Sequence, residues 1–135
     1  MEKVFVDSDI ILDLLTKREP FYDFAAHLFS LADLKKVEIG VSSLCFANIN
    51  YLLAKQIGNG KARKALLKLN ALVTINNVDE KIIELSLASE FSDFEDAIQY
   101  YCAIENNFKT ILTRNLKDYK KASIPVMTAE SYLKQ

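Results

Sequence analysis

The sequence predicts an α/β domain with three layers, in which a mainly parallel sheet lies between two layers of helices. Short apolar runs alternate with segments of helical periodicity along the whole chain, and this alternation is typical of a parallel sheet covered on both faces. The chain has 135 residues, of which 50% are hydrophobic and 26% are charged. We therefore expect one domain over residues 1–135 with a substantial core.

Five short apolar segments are expected to form the strands of this sheet. The first begins almost at the amino terminus and ends at an aspartate, where helical spacing takes over. The later ones are bounded in the same way by polar or turn-forming residues. In chain order, the expected strands are Lys3–Val6, Val37–Val41, Leu72–Ile75, Thr110–Thr113 and Pro125–Thr128.

The helices are predicted from apolar spacing and from residues that start or stop a helix. Pro20 suits a first helical turn, and either residue of the Ser42-Ser43 pair suits an N-cap. Ser92-Asp93-Phe94-Glu95 has the form of a capping box and places a helix start at Asp93, whereas Gly58-Asn59-Gly60 predicts a turn. The expected helices are Ile10–Leu15, Pro20–Leu34, Ser42–Ile57, Lys61–Asn70, Asp79–Ser89, Asp93–Ile104 and Ala129–Leu133.

The net charge of the chain limits how it could bind nucleic acid. The net charge of -1 gives no general attraction to nucleic acid, so RNA binding would need a local basic face. Two clusters are candidates for such a face, and both also suit ordinary solvated helices: Lys55, Lys61, Arg63 and Lys64, and then Arg114, Lys117, Lys120 and Lys121.

The remaining composition favours a cytoplasmic protein without a zinc site. Cys45 and Cys102 are two isolated thiols, which suit a reducing compartment and form no disulfide framework. No signal-peptide pattern or long apolar span is present in the sequence. His27 is the single histidine and lies within a predicted helix, which argues against a Ser-His-Asp hydrolase and against zinc.

Acidic side chains follow the expected strands or begin the expected helices at three separated places. They are Asp7-Ser8-Asp9, Asp93-Phe94-Glu95-Asp96 and Asp118, with the amide of Asn48 between them. The strand ends of an α/β sheet bring distant segments together. Crowded carboxylates repel each other unless they are protonated or neutralised by a cation, and oxygen ligands favour Mg²⁺ or Mn²⁺. The pattern therefore predicts a metal-dependent phosphodiester hydrolase.

None of these acids is diagnostic by itself, because each also has an ordinary structural interpretation. Asp7 is well placed to cap the helix that follows it, and Asp93 to act as a favourable charge in a first helical turn. Asp13 is expected to be exposed on its helix, and Asp118 is a loop acid near Tyr119. The prediction of a site rests on the set as a whole.

The same segments resemble the PIN-domain family. Val4–Leu15 is similar to that family's opening, which is usually Asp-Thr-Asn followed by aliphatic residues, and Asp93–Tyr100 is similar to its third acidic block. Ile111–Tyr119 and Ile124–Thr128 are similar to its closing segments. The order and gaps agree across almost all of the chain, so the resemblance implies a PIN-like three-layer fold.

The resemblance also implies a ribonuclease of the VapC type, the toxin component of a prokaryotic toxin–antitoxin pair. It implies Mg²⁺ or Mn²⁺ as the cofactor, RNA as the substrate, a cognate antitoxin protein as a partner, and a possible homodimer. By position, the metal ligands and catalytic residues are Asp7, Asp96 and Asp118. The residues that support them or contact the phosphate are Ser8, Thr113 and Asn115.

Two departures from the family pattern leave alternatives open. The family's second acid falls at Asn48, which brings an oxygen but no charge, and Asp93 is a candidate to compensate for it. Asp9 stands where the family usually has an amide. One alternative is a degenerate PIN module that binds RNA or a protein without cleavage. A minor alternative takes Asp7-Ser8-Asp9 as the nucleophile and acid of a haloacid-dehalogenase-type phosphatase.

Overall fold

The computed structural model describes all residues from Met1 to Gln135, and its centre is a parallel β-sheet. The strands are β1 (Glu2–Val6), β2 (Val37–Ser42), β3 (Val73–Asn76), β4 (Ile111–Leu112) and β5 (Val126–Met127). They form one five-stranded sheet in the order β3-β2-β1-β4-β5, and every neighbouring pair is parallel. The predicted α/β architecture with a parallel sheet is confirmed.

Seven helices and one 3-10 turn connect the strands. The helices are α1 (Ser8–Leu15), α2 (Tyr22–Asp33), α3 (Ser43–Ile57), α4 (Asn59–Asn70), α5 (Glu80–Leu87), α6 (Phe94–Glu105) and α7 (Ala129–Leu133), and the 3-10 turn is Leu116–Tyr119. None of the helices has the length and apolar character that crossing a lipid bilayer requires.

Three local predictions differ from the structure. The turn predicted at Gly58-Asn59-Gly60 is only Gly58, which has a positive φ of 89°, and α4 begins at once at Asn59. The cap of α6 is Asp93 rather than Ser92, because the Asp93 carboxylate accepts a hydrogen bond from the Asp96 N–H at 3.1 Å. The helix predicted to end at Leu34 ends at Asp33, and Leu34, which follows it, is 63% exposed.

The central strand β1 divides the core into two parts because its side chains alternate between the faces of the sheet. Val4 and Val6 belong to a cluster of 17 buried residues under α1, α2, α3 and α4. Phe5 belongs to a cluster of 9 buried residues under α5 and α6. With both faces covered, the strands carry the continuous apolar runs seen in the sequence.

The carboxyl ends of the strands lie at one edge of the sheet because all five strands are parallel. Asp7 follows β1 and caps α1, and Ser42 ends β2 and caps α3. Thr113 follows β4, which is paired directly with β1. The polar residues after the adjacent strands β1 and β4 therefore meet at this edge.

Gly40 of β2 leaves space for an aromatic ring on the face covered by α6. It is paired with Phe5, and the ring of Phe108 lies against Phe5 with centroids 5.4 Å apart. A Cβ at Gly40 would stand 2.6 Å from Phe108 Cε1 and would also overlap the ring's Cζ. The absence of a side chain at Gly40 is thus what admits Phe108 to the core.

Replacing this glycine is expected to destabilise the fold. Gly40→Ala forces a methyl group into a buried ring and should lower the free energy of unfolding by about 1–3 kcal/mol, measured by urea denaturation. Gly60→Ala is the matched control, because nothing lies within 4 Å of a Cβ at that position. Equal stabilities of the two variants would contradict the packing described.

Candidate active site

Asp7 is the most enclosed carboxylate at the carboxyl edge of the sheet, with 7% of its surface exposed. Its Oδ1 accepts a hydrogen bond from the Ser8 N–H at 2.7 Å. Its Oδ2 accepts hydrogen bonds from the Thr113 hydroxyl and the Tyr119 hydroxyl, both at 3.1 Å. Burial raises the pKa of Asp7, although these hydrogen bonds act against the rise. The predicted supporting residues Ser8 and Thr113 both contact this carboxylate.

Asp9 lies beside Asp7 and joins α1 to the segment that follows β4. Its Oδ2 accepts hydrogen bonds from the Arg114 N–H at 2.9 Å, the Thr113 hydroxyl at 3.2 Å and the Asn115 side-chain amide at 3.3 Å. Its Oδ1 is buried and has no partner within the protein. Burial, followed by the charge of Asp7, raises the pKa of Asp9 to about 6. Asn115 is therefore brought to the site through Asp9.

Asp13 was expected to be exposed, and that prediction is wrong. The residue is 1% exposed and forms a two-point ion pair with Arg114, whose Nε and Nη2 lie 2.8 and 3.1 Å from its two oxygens. Asp13 is one helical turn after Asp9, so both side chains leave α1 on the same face. Because Arg114 is held here, it does not belong to a free basic face with Lys117.

Asp96 lies in the first turn of α6 and is half-buried. Burial and, after it, the negative charges of Asp7, Asp93, Asp118 and Glu95 together raise its pKa to about 7. Asp96 thus stands in the electric field of acids from two other segments of the chain. Asp93 itself serves as the cap of α6.

As the side chains stand, no three His, Cys, Asp or Glu residues are grouped so that they could hold one metal ion. Asp96 interacts electrostatically with Asp7 and with Asp118, but the three carboxylates do not form a closed set of ligands. Their assignment as metal ligands therefore stays a prediction, and binding would require side-chain rotation.

Asn48, which occupies the position of the family's second acid, is paired with a carboxylate from another helix. Its Nδ2 donates a hydrogen bond to Glu95 Oε1 at 3.2 Å. Burial raises the pKa of the neighbouring Cys45 thiol, and the charges of Asp7, Asp9 and Glu95 raise it further. Glu95 therefore adds its charge to the same region as the two aspartates of the first segment.

The sequence alone did not identify four members of this arrangement. Tyr119 contacts Asp7 and Arg114 contacts Asp13, and in each pair the two residues are more than a hundred positions apart in the sequence. No local pattern marks such contacts. Glu95 was assigned to a capping box, which hid its contact with Asn48. A usable signal existed for Asp13, since it lies four residues after Asp9 on a helix beside buried Ile10.

The donor set fits a hard divalent cation in its chemistry. The acids converge at one edge of the sheet and offer oxygen atoms only, which suits Mg²⁺ or Mn²⁺. The raised pKa of Asp96 and the unpartnered Oδ1 of Asp9 indicate that the protein's own donors stabilise the ionised form of these carboxyl groups incompletely.

Fold and site together define a parallel α/β domain with acidic side chains at the carboxyl edge of its sheet. A family model described as PIN domain matches residues 3–117. The chain is also 30% identical to Ribonuclease VapC1 of Aquifex aeolicus (strain VF5) over 139 aligned residues, which cover 97% of this chain and 93% of that protein. The chain belongs to the PIN-domain family, and the resemblance noted in the sequence is confirmed.

Solved structures agree on the fold. The DNA-bound VapBC of Salmonella typhimurium superposes with a TM-score of 0.71 at 14% identity, covering 96% of this chain and 99% of that chain. VapC20 of Mycobacterium tuberculosis, a toxin that cleaves the sarcin-ricin loop, superposes with a TM-score of 0.67 at 15% identity, covering 87% and 95%. At these identities, the likeness establishes the three-layer PIN fold.

The crowding of carboxylates predicts an unusual dependence of stability on pH. Between the ordinary carboxyl value near 3.8 and about 7, folded Asp96 binds more protons than it does in the unfolded chain. The free energy of unfolding of the metal-free protein should therefore fall as pH rises through this window. Asp96→Asn should have a higher Tm than the wild type at about pH 8, and a smaller advantage at about pH 5.

Calorimetry in the presence of a chelator measures the Tm of Asp96→Asn and of the wild type at each pH. Glu84→Gln is the control, because Glu84 is an exposed acid of α5 away from the site. Its Tm difference from the wild type should be small and similar at both pH values. An Asp96→Asn difference that is independent of pH would show that Asp96 is not crowded by other charges.

Proposed function

We propose that this PIN domain, spanning residues 1–135, is a divalent-metal-dependent ribonuclease that hydrolyses phosphodiester bonds in RNA. The observation that carries the proposal is the placement of Asp7 after β1, which is paired with β4, and of Asp96 in the first turn of α6. Burial and, after it, the charges of Asp7 and Asp118 among others raise the pKa of Asp96 there. Neighbouring carboxylates can remain ionised together when a bound cation neutralises their charge. The similarity to Ribonuclease VapC1 supports the same reaction class.

The proposed ligands and catalytic residues are Asp7, Asp96 and Asp118, with Mg²⁺ or Mn²⁺ as the cofactor. Asp7, Asp96 and Asp118 would hold the cation, which would supply Lewis acidity toward the scissile phosphate and toward water. Thr113 and Tyr119 orient Asp7 through their hydroxyl groups. A fixed carboxylate needs no reorganisation during the reaction, which favours catalysis.

The supporting residues have roles that follow from their contacts. Ser8 holds one oxygen of Asp7 through its backbone N–H. Asp93 fixes the start of α6 and thereby the place of Asp96. Asn115 donates to Asp9, which favours an orienting role over a contact with phosphate. Asn48 holds Glu95, so we assign the missing second negative charge to Glu95 rather than to Asp93.

Removing a proposed ligand should abolish most of the activity. With Mg²⁺ or Mn²⁺ and a mixed set of single-stranded and hairpin RNAs, Asp7→Asn and Asp96→Asn should each cleave about 100-fold more slowly than the wild type, or slower still, because several kcal/mol of transition-state stabilisation are lost. Asp33→Asn, an exposed acid at the end of α2, should cleave at the wild-type rate. Equal rates for Asp96→Asn and the wild type would refute the assignment.

The role of Glu95 can be tested separately. Glu95→Gln keeps an amide partner for Asn48 but removes a negative charge, so the Mg²⁺ concentration for half-maximal cleavage should rise about 10-fold. Glu84→Gln again serves as the control. If Asp93→Asn weakens Mg²⁺ binding more than Glu95→Gln does, the compensating charge comes from Asp93 instead.

A second candidate function is RNA or protein binding without cleavage, and the amide at Asn48 favours it. The two functions are distinguished by one experiment, in which RNA is incubated with protein and Mn²⁺ and analysed for both retardation and scission. Retarded but intact RNA would favour the binding module. The phosphatase alternative is set aside, because the chain belongs to the PIN family.

We also propose that the protein is the toxin of a prokaryotic toxin–antitoxin pair and acts on RNA in the cytoplasm. The structural neighbours include a VapBC complex of Rickettsia felis bound to a promoter DNA fragment and a toxin-antitoxin complex of Klebsiella pneumoniae. A cognate antitoxin is the partner this comparison favours, and a homodimer is the assembly that the family resemblance favours.

A further inference from the structure

The ion pair between Asp13 and Arg114 is the most enclosed charge pair in the protein. The Asp13 side chain is 2% exposed and that of Arg114 is 24% exposed. Both donor nitrogens reach the carboxylate in parallel, at 2.8 and 3.1 Å, and the guanidinium carbon lies 4.0 Å from the centroid of the Phe21 ring. Arg18 approaches the same carboxylate at 3.8 Å. The guanidinium is thus fixed on two sides.

The fold does not need this pair to attach the end of β4. The Thr113 N–H already donates to the Met127 carbonyl at 3.0 Å, and the Asp7 N–H to the Leu112 carbonyl at 3.0 Å. Buried ion pairs also contribute little net stability, since desolvation offsets their attraction. What the pair determines is the course of the chain just after the strand, where Arg114 leaves the sheet.

Arg114 contacts α1 at two points that are one helical turn apart. Its side chain binds Asp13, and its backbone N–H donates to Asp9 Oδ2 at 2.9 Å. The Thr113 hydroxyl and the Asn115 amide donate to the same oxygen of Asp9. The side-chain contact therefore holds the peptide whose donors organise the first acidic segment.

We propose that Asp13 and Arg114 are positioning residues, which lock residues 113–115 against α1 so that Asp7, Asp9 and Asp118 keep their relative places. The charged groups of the two residues bind each other, so neither is assigned as a metal ligand or a catalytic residue. For its link to catalysis, the proposal rests on the proposed function. The locking itself is a property of the free protein and can be measured without any substrate.

The test uses the double variant Asp13→Leu/Arg114→Met, which replaces both charges by apolar chains of similar shape. Replacing a whole buried pair in this way is often neutral for stability, whereas removing one partner leaves an unpaired charge. A cavity of about 120 Å³ beside the pair, lined by Ile10, Phe21 and Phe24 among others, gives the new side chains room. Thermal unfolding should confirm that the variant is folded.

Two measurements on the folded double variant decide the proposal. Amide hydrogen exchange at residues 114 and 115 should become at least about 10-fold faster, while the Thr113 amide, bonded to Met127, keeps its wild-type rate. RNA cleavage should show kcat lowered about 10- to 100-fold with KM changed less than about threefold, because positioning rather than substrate binding is lost. The control Lys81→Met/Glu105→Gln removes the ion pair between α5 and α6. It should change neither the amide exchange at residues 114 and 115 nor the kinetics of RNA cleavage.

The outcomes separate this proposal from the proposed function. Unchanged exchange at residues 114 and 115 overturns the positioning role, whatever the cleavage rates. Faster exchange with an unchanged kcat overturns the link to catalysis and leaves a purely structural clamp. If the wild type cleaves no RNA, the proposed function fails, and the exchange rates alone still decide whether the pair locks the segment.

Discussion

Mutual repulsion between carboxylates at the carboxyl edge of the sheet is the constraint around which this protein is organised. Parallel strands bring the segments after β1 and β4 together, and the first turn of α6 adds Asp96 beside them. Burial raises the pKa values of Asp9 and Asp96, and the charges of the neighbouring acids add to the effect. Such an arrangement is tolerated only if donors from the protein, protons or a cation compensate for it.

Hydrogen bonds within the protein stabilise some of these carboxylates but not others. Asp7 and Asp9 receive hydrogen bonds from Ser8, Thr113, Tyr119 and the Arg114 backbone. The pKa of Asp96 is raised by burial and neighbouring charges without any opposing hydrogen bond. The acids of the first segment are thus hydrogen-bonded within the fold, whereas the Asp96 carboxylate has no such partner. This division suits a metal site in which one fixed carboxylate organises the others.

Local sequence patterns located the strands and the helices to within about two residues at their ends. Continuous apolar runs located the strands because both faces of the sheet are covered, and the parallel order then placed Asp7 and Thr113 at one edge. Apart from the ends of three helices, the errors concern contacts between distant segments. Asp13 appeared to be an exposed helical acid because its partner lies 101 residues away. The fit of Phe108 over Gly40 was not expected, since it depends on the packing of two separate elements.

The most direct measurement of the central claim is the pKa of the Asp96 carboxyl group, followed by carboxyl-carbon NMR in metal-free protein. We predict a value near 7 in the wild type, a lower value in Asp7→Asn because a neighbouring charge is removed, and a marked decrease when Mg²⁺ is added. An ordinary value near 3.8, unaffected by Asp7→Asn and by Mg²⁺, would show that the acidic segments do not form one site.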